Sequence, residues 1–115
     1  MAQARHSRVG GFYEWACFAA QQSAEKAAKA LLYALNASAR GHSTLGMLER
    51  LPKGAAVPRD IRLAASKLDK YYTVTRYPNG FESGPPAEHF LAEEAEEAIA
   101  FAEKVLAFCR SNLPG

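Results

Sequence analysis

Small apolar residues recur at every third or fourth position over a long stretch near the start of the chain. Between residues 12 and 35 the recurring set consists of Ala16, Ala20, Ala24, Ala27, Leu31 and Leu35. This spacing places the side chains on one face of an α-helix and does not match the two-residue alternation of a strand. Because most of these residues are alanine, a neighbouring helix can approach closely. The pattern therefore predicts an all-α protein made of closely packed helices.

The same segment carries a polar side. The residues on it are Gln21, Gln22, Glu25, Lys26 and Lys29. Glu25 and Lys29 are four positions apart with the acid on the N-terminal side, which is the favourable order for an ion pair along a helix. We therefore predict a Glu25–Lys29 pair on this polar side.

Two further helices follow in the middle of the chain. The composition of residues 36–42 predicts a loop. Ser43 or Thr44 can then cap the N-terminus of a short helix. The inward residues of that helix are predicted to be Leu45, Leu48 and Leu51. Pro58 suits the first turn of the next helix, where its missing N–H costs nothing. The apolar stripe of that next helix is predicted to be Ile61, Ala65, Leu68 and Tyr72.

The two ends of the chain complete the predicted architecture. The last helix is predicted to run from about Pro86 to Asn112, with an inner face of Leu91, Ala95, Ala98, Ala102, Val105 and Cys109. At the other end, residues up to Val9 can form a helical stub that Gly10-Gly11 breaks or hinges. We therefore predict one domain over residues 1–115, an up-and-down antiparallel bundle of four to five helices with a short first helix.

Charge is distributed unevenly along the chain. Residues 1–80 contain 12 Lys and Arg against 5 Asp and Glu, a balance of +7, whereas residues 81–115 contain 2 against 7, a balance of −5. A basic body can attract an anion, and complementary charges can equally stabilise the packing of helices against each other. Both interpretations stay open from the sequence.

Several classes of protein and site are excluded by composition. No apolar run approaches the roughly 20 residues of a membrane span, and Glu14 interrupts the partly apolar N-terminal stretch, which argues against a signal peptide. Three scattered histidines and two cysteines, Cys17 and Cys109, do not have the spacing of a zinc site. The cysteines are predicted to be small buried hydrophobes. We find no Ser-His-Asp set, Gly-rich phosphate loop or paired carboxylates, and we expect a soluble cytoplasmic protein.

One segment departs from the helical composition, the stretch YYTVTRYPNG at residues 71–80. Because the residue before a proline is disfavoured in the α region, Tyr77 is predicted to end a helix, with Arg76 in its last turn. Arg76 can simply complement the helix dipole while the tyrosines fill the core. Alternatively, its guanidinium can bind a phosphate while a tyrosine ring stacks on a base.

Other candidates lie outside this stretch. His42, in a loop just before a helix, can contact an anion, transfer a proton or cap the helix. Phe12, Trp15 and Phe18 span most of one helical circumference, so at least one of them must face solvent or a partner. Exposed aromatic residues at this spacing indicate a helix–helix dimer interface.

Four segments carry a family pattern in this order, GFYEWACFAAQQSAEKAAKALL at 11–32, GHSTLGMLERL at 41–51, LDKYYTVTRYPNGFESGPPAEHF at 68–90 and EEAEEAIAFAEKVLAFCR at 93–110. Together they resemble the HEPN domain family (higher eukaryotes and prokaryotes nucleotide-binding). The resemblance covers residues 2–112 and is to the stand-alone prokaryotic type, which is often paired with a minimal nucleotidyltransferase. It implies an up-and-down helical bundle, usually dimeric, and either nucleotide binding or RNA cleavage.

The resemblance favours a functional role for Arg76, Tyr77 and His42. The predicted ligand-binding site consists of Arg76, Tyr77, His42, Tyr72 and Lys29, with no catalytic residue, metal or cofactor assigned. Ribonuclease-type members carry an Arg followed by a His after four to six residues, and this chain has no such pair. The nearest His after Arg76 is His89, with twelve residues between them. The first helix also looks shorter than in the family.

Three functions follow from these observations. The first is a non-catalytic module that binds an ATP-like nucleotide or the phosphate of a nucleic acid and acts with a minimal nucleotidyltransferase. The second is a metal-independent ribonuclease toxin of a toxin–antitoxin pair, with Arg76 on the phosphate and His42 or His89 as the acid or base. The third is a pure protein-interaction module. We expect a homodimer in each case.

Overall fold

The described part of the chain forms four helices in a computed structural model. The backbone is described for residues 2–52, 56–76 and 92–114, and the side chains for residues 12–52, 56–72 and 92–114. The helices are α1 (Ala2–Ala34), α2 (Thr44–Leu48), α3 (Arg59–Arg76) and α4 (Ala92–Ser111). No strand occurs within these ranges. The predicted all-α class is confirmed.

The first helix is longer than the sequence pattern predicts. α1 is continuous for 33 residues from Ala2 to Ala34, so the predicted break at Gly10-Gly11 and the separate short first helix are wrong. A glycine inside a helix costs only about 1 kcal/mol relative to alanine. Extending a helix that is already formed adds a hydrogen bond per residue without a new nucleation step. Two glycines therefore weaken α1 locally without ending it.

The end of α1 is set by an asparagine. Asn36 has a φ of 59°, in the left-handed region. The Ala37 amide donates to the Leu32 carbonyl over 2.8 Å, and the Asn36 amide donates to the Tyr33 carbonyl over 3.1 Å. These two bonds form a Schellman motif, which satisfies carbonyl groups that the helix end leaves without partners. The chain thereby turns towards α2 directly after α1.

The core lies along α1, which packs against both α3 and α4, while α2 covers one end between α1 and α3. Alanine dominates the contact surfaces, as predicted. The buried apolar residues include Ala20, Ala24, Ala28, Leu31, Leu32, Met47, Leu48, Ile61, Ala64, Ala65, Leu68, Ala95, Ala98, Ala102 and Val105. The predicted inner face of the last helix is thus buried from Ala95 to Cys109. The predicted residues Pro86 to Leu91 lie outside the described residues.

Both cysteines are buried free thiols, as predicted. Burial raises the pKa of Cys17 to about 11, and burial does the same for Cys109. Cys17 also exchanges a side-chain hydrogen bond with Tyr71 of α3. Both thiols therefore stay protonated at neutral pH and act as packing groups.

None of the described helices combines the length and the apolarity that crossing a lipid bilayer requires.

Candidate functional site

A buried carboxylate on α1 is the centre of the polar site. Glu25 is only 5% exposed and accepts hydrogen bonds from three side chains. Its Oε1 accepts from Gln21 Nε2 over 3.0 Å. Its Oε2 lies 3.1 Å from Lys29 Nζ and 3.1 Å from His42 Nδ1. Each of these three contacts is with a group that can donate, so the negative charge is compensated inside the protein.

Helical periodicity brings three members of this cluster together. Gln21, Glu25 and Lys29 follow one another at intervals of four and therefore share one face of α1. The polar side predicted for this helix consequently points partly into the protein, since Gln21 is fully buried. Gln22 donates to Gln21 Oε1 over 2.8 Å, which leaves the amide nitrogen of Gln21 directed at Glu25.

The fourth member, His42, arrives from the loop between α1 and α2. Gly41, just before it, has a φ of 90°, a conformation that side-chain-bearing residues rarely adopt. The glycine therefore permits the turn that delivers His42 to Glu25. The His42 ring stacks on the ring of Tyr72 from α3, with centroids 4.6 Å apart and planes 12° apart. Its side chain is 55% exposed, so the ring is accessible from solvent.

A second carboxylate fixes the start of α2 beside this cluster. Asp69 of α3 accepts from the backbone amides of Thr44 at 2.7 Å and Leu45 at 3.2 Å. It also accepts from the Ser43 hydroxyl at 2.8 Å. Ser43 in turn is the N-cap and accepts from the Gly46 amide at 2.9 Å, which confirms the cap predicted there. Asp69 therefore anchors the residue next to His42 to α3.

The electrostatics of Glu25 reflect two opposing effects. Burial alone raises the pKa of this carboxyl, because desolvation disfavours the charged form. The hydrogen bonds from Gln21, Lys29 and His42 act in the opposite direction and prevail, so the pKa of Glu25 is lower than its ordinary value of 4.5. Glu25 is consequently ionised at neutral pH and can only accept hydrogen bonds.

The structure brings together three of the five residues predicted for the ligand site. Lys29 and His42 contact Glu25, and Tyr72 stacks on His42, so all three lie together around the Glu25 cluster. The backbone of Arg76 lies one helical turn beyond Tyr72 in α3. The Arg76 side chain and all of Tyr77 lie outside the described residues. Ligand binding by these five residues stays a prediction.

Sequence reasoning missed the residues that hold the cluster in place. Gln21 was assigned only to the polar side of a helix, and Asp69 was not singled out. Glu25 was assigned to the same polar side and to a pair with Lys29, which is confirmed at 3.1 Å. A signal was present for Gln21 and Glu25, because a Gln-Glu-Lys series at intervals of four accompanies an alanine-rich stripe. Asp69 gave no local signal, since its partners lie 24 to 26 positions earlier. Within residues 12–52, 56–72 and 92–114, no group of three His, Cys, Asp or Glu side chains could hold a metal ion.

Known proteins similar to this chain share its length and its fold. The family model of the HEPN domain matches residues 1–112. The chain is similar to TT1696 from Thermus thermophilus, with 49% identity over 95% of this chain and 88% of that one, and a TM-score of 0.83. It is also similar to ST0689, an archaeal HEPN homologue, with 38% identity over 98% of this chain and 88% of that one, and a TM-score of 0.74. None of the curated proteins compared with the chain matches it significantly. The chain therefore belongs to the HEPN domain family.

Proposed function

We propose that this HEPN domain protein is a cytoplasmic module that binds a nucleotide or the phosphate of a nucleic acid at the Glu25 cluster. The observation that carries the proposal is the meeting of Lys29, His42 and Tyr72 around one buried carboxylate. An ammonium group can contact a phosphate, and a stacked aromatic pair offers a flat surface beside it. These are the two chemical features of a nucleotide.

The charge balance of the cluster defines what the site requires. The Glu25 carboxylate neutralises the charge of Lys29, with which it is in direct contact. A net positive charge at the site therefore requires either a protonated His42 or the guanidinium of Arg76. Arg76 follows Tyr72 by four positions in the sequence, and its backbone lies one turn further along α3. We propose that Arg76 supplies the charge that attracts the phosphate.

The proposed partner is a minimal nucleotidyltransferase. Support for this partner comes from membership of the HEPN domain family, in which the stand-alone prokaryotic type resembles this chain. The proposal is that the HEPN module presents a bound nucleotide or nucleic acid to that enzyme.

A ribonuclease toxin is the second candidate, and one observation favours it. His42 with Glu25 on its Nδ1 has the arrangement of a histidine prepared to exchange a proton. Against it, no histidine follows Arg76 at the spacing of four to six residues found in ribonuclease-type members. The non-catalytic module is therefore the first proposal.

Saturating ATP is expected to raise the melting temperature of the protein. At about ten times its dissociation constant, a ligand that binds only the folded state adds about 1.4 kcal/mol, which corresponds to about 4–6 °C for a domain of this size. We expect Lys29→Ala and Arg76→Ala to abolish most of this shift, because each removes a cation from the site. Differential scanning fluorimetry with and without ATP measures it.

Lys26→Ala is the matched control for that experiment. It removes the same charge from an exposed position on α1, three residues from Lys29. The control should keep the full shift, and equal losses in Lys26→Ala and Lys29→Ala would indicate only nonspecific charge attraction.

Incubating the wild type and Arg76→Ala with tRNA in EDTA separates the two candidate functions. Cleavage by the wild type alone favours the ribonuclease.

A groove between α1 and α4 supports the proposal of a homodimer. It has a volume of about 370 Å³ and is lined by Phe12, Trp15, Ala16, Ala19, Ala20, Ser23, Ile99, Ala102, Glu103 and Leu106. Phe12 and Trp15 are 65% and 67% exposed, so the prediction that an aromatic residue here faces outward is confirmed. The same face thus has projecting aromatic rings and a recess lined by small residues. In a two-fold symmetric contact each copy uses the same surface, so the rings of one copy can fill the recess of the other.

The area is consistent with a second copy of this chain as the occupant. At roughly 150–250 Å² per aromatic side chain, the two rings leave roughly 200–300 Å² exposed on each protomer. A symmetric pair would then bury about a third to a half of the roughly 1,200 Å² of a small specific interface through these rings alone. The remainder would have to come from the surface of α1 and α4 around the two rings.

Trp15→Glu is expected to convert the dimer to a monomer. The substitution places a charge in the apolar recess, and we expect the dissociation constant of the dimer to rise by about 100-fold or more. Light scattering coupled to size-exclusion chromatography measures the mass across a concentration series. Tyr33→Glu is the control, because Tyr33 is 68% exposed on the same helix but lies outside the groove. A wild type that is monomeric at high concentration contradicts the proposal.

A further inference from the structure

The contact between Glu25 and His42 determines which ring nitrogen carries a proton. His42 Nδ1 lies 3.1 Å from Glu25 Oε2. An ionised carboxylate has no hydrogen to donate, so the hydrogen in this bond belongs to Nδ1. The hydrogen bond made by one ring nitrogen sets the state of the other. In the neutral form of His42, Nε2 is therefore without a proton.

The carboxylate itself is fixed from several sides. Gln21 holds Oε1, and Gln21 is oriented by Gln22. Lys29 contacts Oε2 from the next turn of α1. Because Glu25 is also buried, its carboxylate has little freedom to turn away from His42. This rigidity makes the contact able to select one tautomer.

The ring of His42 is fixed as well. Tyr72 stacks on one face of it, and Asp69 holds Ser43, the next residue in the chain. Nε2 lies on the ring edge away from Nδ1. Among the described residues, no group forms a hydrogen bond with Nε2, and the side chain is 55% exposed. Nε2 is the nitrogen that His42 offers to an incoming molecule.

We propose that Glu25 is a positioning residue that holds neutral His42 as the Nδ1–H tautomer, so that Nε2 accepts a hydrogen bond from a donor group of the ligand. The donor is a hydroxyl of the ribose or an amino group of the base, not a phosphate oxygen. This ligand assignment rests on the proposed function. It assigns Lys29 to the phosphate of the ligand and assigns His42 and Tyr72 to its nucleoside.

The assignment follows from the chemistry of the two groups. A phosphate ester at neutral pH presents oxygen acceptors, and an unprotonated Nε2 is also an acceptor, so the two repel each other. Ribose and the amino-bearing bases present O–H and N–H donors. Tyr72 stacks on the His42 ring, so the Nε2 acceptor belongs to an aromatic pair of the kind on which a planar base stacks.

The tautomer is measured first, on the free full-length protein. A long-range nitrogen–proton correlation spectrum of uniformly ¹⁵N-labelled protein reports both ring nitrogens, and the His42 signals are those lost in His42→Gln. At a pH where His42 is neutral, Nδ1 is expected to show the shift of a protonated nitrogen and Nε2 that of an unprotonated one. Glu25→Ala should move the population towards the Nε2–H form, and Glu25→Gln should give a mixture.

Two results overturn the positioning role. One is a wild type that already has the Nε2–H form. The other is a set of Glu25 variants that are folded, as judged by their remaining spectrum, and keep the wild-type tautomer. A purely structural Glu25 would change stability without changing the tautomer, so the spectrum separates the two roles.

The ligand assignment is tested with ATP, 2′,3′-dideoxy-ATP and inorganic tripolyphosphate at the same pH. His42→Phe keeps a ring to stack on Tyr72 and should weaken ATP binding about 5- to 10-fold, while tripolyphosphate binding changes less than twofold. Weaker binding of the dideoxy compound to the wild type identifies a ribose hydroxyl as the donor, and equal binding identifies the base. Equal losses for ATP and tripolyphosphate in His42→Phe overturn the assignment.

If none of the probes binds, the proposed function and the ligand assignment both fail. The role of Glu25 as a positioning residue is still decided by the tautomer measurement.

Discussion

Replacing Asp69 by alanine is expected to lower the free energy of unfolding by roughly 2–4 kcal/mol, since hydrogen bonds to a charged group contribute about 1.5–3 kcal/mol each and are not additive. Asp69 accepts from two backbone amides at the start of α2, those of Thr44 and Leu45, and from the Ser43 hydroxyl. α2 has only five residues, so its amides have few other partners within the protein. Losing the carboxylate leaves both amides without an acceptor in the protein and removes the hydrogen bonds that join the start of α2 to α3.

Urea unfolding followed by circular dichroism measures this effect. Asp69→Asn keeps one carbonyl acceptor and should cost about half as much as alanine. Asp60→Ala is the control, because Asp60 is an exposed acid of the same helix that forms an ion pair with Lys104 at 4.0 Å. An exposed pair at that distance contributes less than about 1 kcal/mol. Equal effects of the two alanine substitutions would show that Asp69 acts only as a surface charge.

The parts of this fold that sequence predicts are those determined by local spacing. The inner face of α4 from Ala95 to Cys109 follows from helical periodicity, since a side chain's direction depends on its position in the turn. The Ser43 cap follows from chemistry within four residues. Gly10-Gly11 shows the limit of such reasoning, because helix propensity is a small energy that a long cooperative helix overrides.

The candidate site depends on contacts that local spacing does not encode. Glu25 is 17 positions from His42, and Asp69 is 25 positions from Thr44. A buried carboxylate is stable only when donors reach it, and two of the three donors of Glu25 could be foreseen on its own helix. The third comes from a loop whose path depends on Gly41 and on the packing of α2. His42 and Tyr72 were predicted as members of a site, while the Glu25 carboxylate that contacts His42 was not.

Replacing Glu25 by methionine is expected to lower the free energy of unfolding by roughly 2–4 kcal/mol at pH 7. Methionine has a similar length but cannot accept from Gln21, whose amide is fully buried and would lose its acceptor. Lys29 and His42 are partly exposed and can turn towards water, so their loss is smaller. Lys26→Met is the control, because it makes a similar change at an exposed position of the same helix. Similar losses in both variants contradict a buried role for Glu25.

The contribution of Glu25 should also depend on pH in a defined direction. Burial alone raises the pKa of Glu25. The hydrogen bonds that Glu25 accepts together have the larger effect, so its pKa lies below the ordinary value of 4.5. A carboxyl whose pKa is lower in the folded than in the unfolded state stabilises the fold above the unfolded value. That stability is lost as the pH falls through the folded value. The stability difference between wild type and Glu25→Gln should therefore be larger near pH 6 than near pH 3, with the decrease beginning at about pH 4.5.

Urea unfolding of both proteins between pH 3 and 6 measures this difference. A difference that stays constant over that range would show that the Glu25 carboxylate has the same affinity for protons in the folded and unfolded chain, and that the donors around it do not stabilise its charge.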